Sequence, residues 1–244
     1  MTGATPAPSL VEQVYERILS EICEGILAPN ARLIQDELAA AYEVSRQPVQ
    51  QALMLLRERG FVADAPKRGV VVTPLDVDVL RDVYETREVL DGLSCRLAAE
   101  RAGQRARAEG PALVDQGREA IASGSVSRQI AADIAFHQFI YEISGNRSAE
   151  EAARPHWHFM RRIMGAVLRV ERDISKDIWN EHAAILDAIV AGDAEEAECL
   201  GRAHIARASR KFAGHLRTLQ ERTEERQRSR SLAAASAKRR QAAI

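Results

Sequence analysis

The sequence predicts a mainly α chain in two parts: an N-terminal helix-turn-helix with a small β-hairpin, then an all-α antiparallel helical bundle. Three observations carry this. An apolar repeat at helical spacing starts at Leu10 and gives way after Gly60 to two short β-rich runs around a glycine-bearing tip. Thr73-Pro74-Leu75-Asp76 then breaks the pattern. Beyond that break nearly every segment repeats at helical spacing.

The elements follow in order. Two prolines and a glycine make residues 1–9 a loose arm. Leu10, Val14, Ile18 and Ile22 recur every four residues, and Gly25 stops that helix. Residues 25–33 read as a connector. A short helix is expected at about 35–42 and a longer one at about 45–59, ended by Gly60. Residues 61–64 and 69–73 read as strands joined by a tip that carries Lys67, Arg68 and Gly69. The first domain is thus 10–73, with 74–76 as a linker. Helices are expected near 77–102, 111–122, 126–144, 148–171, 175–191 and 193–220. Their breaks are Gly110-Pro111, Ser123-Gly124-Ser125, Gly145-Asn146 and Gly192-Asp193, and Pro155 falls in an early turn. The second domain is 77–220. Residues 221–244 lack an apolar face and are expected to fray or stay disordered.

Composition removes several classes. With 46% apolar residues, 28% charged residues and a net charge of −1, the chain builds cores and is not a disordered polyelectrolyte. No apolar run reaches the roughly 18 residues of a membrane span. The opening residues are neither basic nor apolar, so no secretory leader is expected. Cys23, Cys95 and Cys199 are odd in number and far apart, which suits a reducing cytoplasm. Residues 221–244 carry a net +4, while 1–73 carry −2. Any nucleic-acid contact therefore comes from a local basic edge rather than a bulk field.

Residues 35–56 place two helices around a three-residue turn. Ala39 is small at the crossing, and Val44, Val49 and Leu53 are spaced for an apolar seam. Ser45 is placed to cap the second helix, and Pro48 falls in its tolerant first turn. Arg46, Gln47, Gln50 and Gln51 project from its start, where a helix-turn-helix meets base edges in the major groove. Such pairs also occur outside DNA binders, so spacing alone leaves a plain helical domain open.

Asp133 and His137 lie at i and i+4, about 40° apart on one helical face, which suits two ligands of one ion. His182 and His204 lie on other predicted helices. Nitrogen and oxygen donors of this kind suit Zn²⁺, Ni²⁺ or Mn²⁺. The alternative is four unrelated polar residues. His156 and His158, about 200° apart, face opposite ways. His215 shares a face with His204 but lies about 16 Å along the axis. There is no phosphate-cradling glycine loop, H-E-x-x-H or G-x-S-x-G.

Two resemblances sharpen these readings. Gly25 to Pro29, Arg32-Leu33, Glu37-Leu38-Ala39, Val44-Ser45-Arg46-Gln47-Pro48-Val49, Ala52-Leu53, Leu56 and Gly60-Phe61-Val62 resemble the GntR family of bacterial transcriptional regulators. Glu43 departs from the family's usual turn glycine, at a cost of about 1 kcal/mol if that position needs positive φ. Gln50 and Gln51 replace the usual Arg and Glu, which alters the expected base preference. Tyr84 to Leu90, Asp133-x-x-Phe136-His137, Ser144-Gly145-Asn146, Glu181-His182, Ile185 to Ile189, Gly192-Asp193 and His204 resemble the FCD ligand-binding domain of the FadR subfamily.

The resemblance implies a cytoplasmic, homodimeric, metabolite-responsive repressor on a pseudo-palindromic double-stranded DNA operator, and not an enzyme. It implies one divalent ion per subunit, Zn²⁺ first and Ni²⁺ or Mn²⁺ next, held by Asp133, His137, His182 and His204. A small carboxylate is the expected effector, met by Arg87 with Tyr84 and Asn146. Arg suits a carboxylate because its planar fork binds both oxygens. The expected DNA contacts are Arg32, Ser45, Arg46, Gln47, Gln50, Lys67, Arg68 and Gly69. Two rivals stand beside this reading. A metal-dependent hydrolase would activate water at the Asp and three His, but Glu181, the nearest general base, is adjacent to His182 and points elsewhere. A metal-only sensor would treat the ion itself as the signal.

Overall fold

The computed structural model describes residues 8–65, 69–169 and 175–241. Helix α1 spans Leu10–Cys23 and begins with a capping box, in which Ser9 and Glu12 each accept from the other's backbone N–H. Strand β1 is Arg32–Leu33, α2 is Gln35–Ala41 and α3 is Arg46–Glu58. Strands β2 (Val62–Asp64) and β3 (Val70–Val72) form the expected hairpin. The strand β1, inside the expected connector, adds to it in the order β1-β3-β2, with Arg32 opposite Val71. Two residues are too short to announce a strand by alternation, which is why the pattern hides it. Ile18, Leu19, Val49, Ala52, Leu56 and Val72 close one core under this winged helix-turn-helix.

The remaining helices form the bundle. Helix α4 is Val77–Ala122, α5 Val126–Ser144, α6 Arg147–Leu168, α7 Ser175–Ala191 and α8 Ala194–Gln241. Helix α4 is central and packs on α5, α7 and α8. Its first half runs antiparallel to α8, as Tyr84 meets Phe212, Gly92 meets Arg202 and Arg96 meets Glu198. Its second half runs along α7, as Gly110 meets Leu186 and Gly117 meets Trp179.

Three expectations change. The chain bends at Ala102 (φ −138°, ψ 23°), not at Gly110-Pro111. Gly110 is instead a close-packing position, where a Cβ would collide with the Leu186 side chain. Pro155 is the ninth residue of α6, not in an early turn. Its missing N–H therefore leaves one carbonyl of the preceding turn without its helical donor. Finally, α8 continues to Gln241 where fraying or disorder was expected. Ala, Arg, Glu and Gln are strong helix formers and carry the helix past the end of its apolar face.

The winged part touches the bundle through α6. Arg161 donates to Ser20 Oγ at 2.9 Å and Arg169 to the Cys23 carbonyl at 2.7 Å. Arg162 donates to the Thr73 carbonyl.

Candidate metal centre and DNA-reading face

Helical spacing sets the first pair of the candidate centre. One turn of α5 separates Asp133 from His137, so both enter the bundle on one side, 6% and 5% exposed. Helix α7 brings His182 and α8 brings His204, both buried. One ring nitrogen from each of His137, His182 and His204 falls within a cluster no wider than 4.8 Å. His182 Nε2 and His204 Nε2 are 3.2 Å apart. Two nitrogens bound to one ion at about 2.0–2.1 Å stand roughly 2.8–3.4 Å apart for angles between octahedral and tetrahedral, so this separation fits. Asp133 Oδ1 lies 3.7 Å from His182 Nε2.

The rings are oriented from behind. His137 Nδ1 is 2.8 Å from Asp91 Oδ1, and His204 Nδ1 is 2.8 Å from Glu181 Oε2. A carboxylate accepts, so each of these Nδ1 atoms carries the proton and each Nε2 keeps its lone pair. This is how metal-binding imidazoles are held in one tautomer. His182 is positioned by packing instead. Phe136 stacks on it at 4.3 Å, and Trp179 meets it edge-on at 4.6 Å. Its Nδ1 has no partner among the described residues. Burial pushes the His182 pKa well below its usual value and lowers that of His204, so both rings stay neutral and available as ligands.

Asp91 is the hub that sequence reasoning missed. It accepts from His137, from Arg87 at 3.1 Å and from the Tyr141 hydroxyl at 3.0 Å. Burial raises its pKa, but the Arg87 charge and the hydrogen bonds from His137 and Tyr141 outweigh it and hold Asp91 well below the usual carboxylate range. The available signal was the i,i+4 spacing of Arg87 and Asp91 on one helix. Glu181 has a similar part. Burial raises it, while bonds from His204 and Arg207 bring it down to about 2. It orients a ring and is not placed as a base.

Arg87 is 1% exposed, and its guanidinium lies 5.4 Å from the Tyr84 ring. Among the described residues, Arg87 Nε and the Tyr84 hydroxyl are both buried without a hydrogen-bond partner. Asn146, the third expected effector residue, caps α6 by accepting from the Ala149 N–H at 3.2 Å.

On the winged part, Ser45, Arg46, Gln47 and Gln50 are exposed along the start of α3. Ser45 occupies the cap position, but its side chain makes no capping hydrogen bond, contrary to expectation. Arg46 forms an ion pair with Asp36 of α2. Gly69 has φ 105°, and the Arg32 side chain lies against it. Lys67 and Arg68 lie outside the described residues.

Residues 10–72 match the bacterial regulatory proteins of the gntR family, and residues 82–207 match the FCD domain. The chain belongs to the GntR family and carries an FCD domain. An HTH-type transcriptional regulator in an unstable DNA locus of Streptomyces ambofaciens is 30% identical over 201 residues, 79% of this chain and 80% of that protein. The HTH-type transcriptional repressor RspR of Escherichia coli K12 is 24% identical over 204 residues, 81% of this chain and 86% of RspR. A GntR transcriptional regulator from Rhodococcus sp. RHA1 shares the fold, with TM-score 0.72 at 24% identity over 85% of this chain and 99% of that one. GntR membership makes this a DNA-binding transcriptional regulator rather than an enzyme, which sets the hydrolase aside. Among the described residues no helix is long and apolar enough to cross a membrane.

Proposed function

We propose that this GntR regulator is a homodimeric repressor whose hold on a pseudo-palindromic operator responds to a small carboxylate at a divalent metal. Residues 10–73 are the DNA-reading part, 74–76 the linker and 77–220 the effector part. One observation carries the metal: three buried imidazoles turn their nitrogens into one small cluster, and two of them are oriented from behind by carboxylates. His137, His182 and His204 would hold the ion, with Asp133 beside His182, and Zn²⁺ suits neutral imidazoles best. When bound, the ion supplies a positive anchor for an anionic oxygen.

The carboxylate reading is supported by the unpartnered donors nearby. Arg87 Nε and the Tyr84 hydroxyl are buried and have no hydrogen-bond partner among the described residues, a state that costs free energy until an acceptor arrives. An effector with a second carboxylate or a hydroxyl would meet them while its first oxygen faces the ion. Because Arg87 already shares Asp91 with His137, a ligand there acts on both the guanidinium and the ring. Arg46, Gln47 and Gln50 would read base edges, with Arg32, Ser45, Lys67, Arg68 and Gly69 near phosphates. Repression is supported by the name of the relative RspR.

The test uses an operator selected by the protein from a random duplex pool and a panel of hydroxy and dicarboxylic acids. The parent chain should change its operator affinity with at least one acid. Arg87→Ala, still folded and metal-bound, should lose that response. An Arg87→Ala chain that responds at unchanged acid concentration removes the carboxylate assignment.

A further inference from the structure

A recess of about 670 Å³ lies where the winged part meets the bundle. Phe61 and Thr73 line it from one side, Val79 from α4, and Phe159 and Arg162 from α6. Small-molecule sites usually fall at about 300–1,000 Å³ and combine apolar walls with a few polar groups. None of the imidazole cluster lines this recess.

Arg162 is its unusual member. The residue is 6% exposed, and among the described residues it has no ion-pair partner. Burial lowers its guanidinium to about 10. Five N–H donors are offered; among the described residues they meet the Thr73 carbonyl, and the guanidinium lies 6.0 Å from the ring of Phe61. A buried charge without a counter-charge is costly. Beside it, the Thr73 hydroxyl is buried and also lacks a partner among the described residues. Two carboxylates line the recess, but Asp76 is engaged in capping α4 and Glu58 is exposed. Arg59 and Arg154 line it as well and offset them.

We propose that this recess is a second ligand site, which takes an amphipathic organic anion. Its carboxylate pairs with Arg162 and accepts from the Thr73 hydroxyl, and its aromatic or short aliphatic body lies against Phe61, Phe159 and Val79. The proposal does not rest on the metal reading. Such a ligand touches the end of the wing, the start of α4 and α6 together, so its binding is coupled to how the DNA-reading part sits on the bundle.

Calorimetric titration of the full chain, stripped with EDTA, tests it. The probes are 1-naphthoate and its uncharged counterpart 1-naphthamide. One naphthoate should bind per chain, with the amide at least about tenfold weaker. Arg162→Met should weaken naphthoate at least about tenfold and erase the difference between acid and amide. Should Arg162→Met fail to fold, Val79→Trp decides, because it fills the recess from an exposed position and should abolish binding at an unchanged melting temperature. His182→Ala should bind naphthoate like the parent. No saturation by naphthoate, equal binding of acid and amide, or parent-like binding by Val79→Trp overturns the proposal.

Discussion

The Nδ1–H of His137 donates to the buried Asp91 carboxylate at 2.8 Å, and that carboxylate also holds Arg87 at 3.1 Å. One side chain therefore orients a candidate metal ligand and neutralises the candidate effector clamp. Asp91→Asn keeps the shape but removes the charge. Zn²⁺ affinity should fall about tenfold, the lower end for losing a group behind a ligand. Stability should fall by about 3–5 kcal/mol, because Arg87 is left as an uncompensated buried charge. Zinc titration and urea unfolding measure the two losses separately. A variant equal to the parent in both would show that the hub is incidental.

Proton linkage gives the metal-free chain a defined pH profile. His182 and His204 have folded pKa values below the usual 6.5, so the unfolded chain takes up those protons first as pH falls. Their contribution is fully present above about 6.5 and is lost as pH falls below it. Asp91 and Glu181 are lowered from the ordinary carboxylate range, so theirs is present above about 4.5 and lost as pH falls below it, that of Glu181 near about 2 and that of Asp91 at more acid pH still. Urea unfolding of the EDTA-stripped chain should give lower stability at pH 5.5 than at pH 8. Equal or greater stability at pH 5.5 contradicts the assignment of neutral buried rings.

The ion pair between Arg46 and Asp36 makes a two-sided prediction for DNA. Arg46→Ala should cost roughly 1–3 kcal/mol on the selected operator and relax one position of each half-site. Asp36→Asn should act oppositely. It frees Arg46 and removes a negative charge close to the phosphates, so affinity should rise about threefold or more at low salt. Both are read by fluorescence anisotropy. If Asp36→Asn weakens binding, the pair positions Arg46 for DNA and does not compete with it.

Local signals made most of the fold legible. The four-residue apolar repeat of α1, the Thr73-Pro74 break and the turns at Gly60, Gly124, Gly145 and Gly192 each act over a few residues, and their elements stand where those signals put them. Glu43 shows the same locality: its turn does require positive φ, with the residue at 57°. What escaped depends on distant partners. Strand β1 exists because β3 lies beside it. Gly110 resembled a helix break because its true constraint, the Leu186 side chain, lies 76 positions away. For the same reason the imidazole cluster was legible only as a resemblance beyond the Asp133–His137 spacing. The hub Asp91 resembled a surface partner of Arg87, since nothing local indicates that both are buried.

Metal content is the most direct test of the central claim. The full chain is purified without chelator, supplied with Zn²⁺, desalted and analysed by inductively coupled plasma mass spectrometry. The parent should retain about one equivalent per chain, and a folded His182→Ala/His204→Ala double variant less than about a tenth of that, since the imidazoles supply the affinity. A parent chain that retains no metal, or a double variant that retains as much as the parent, contradicts the account.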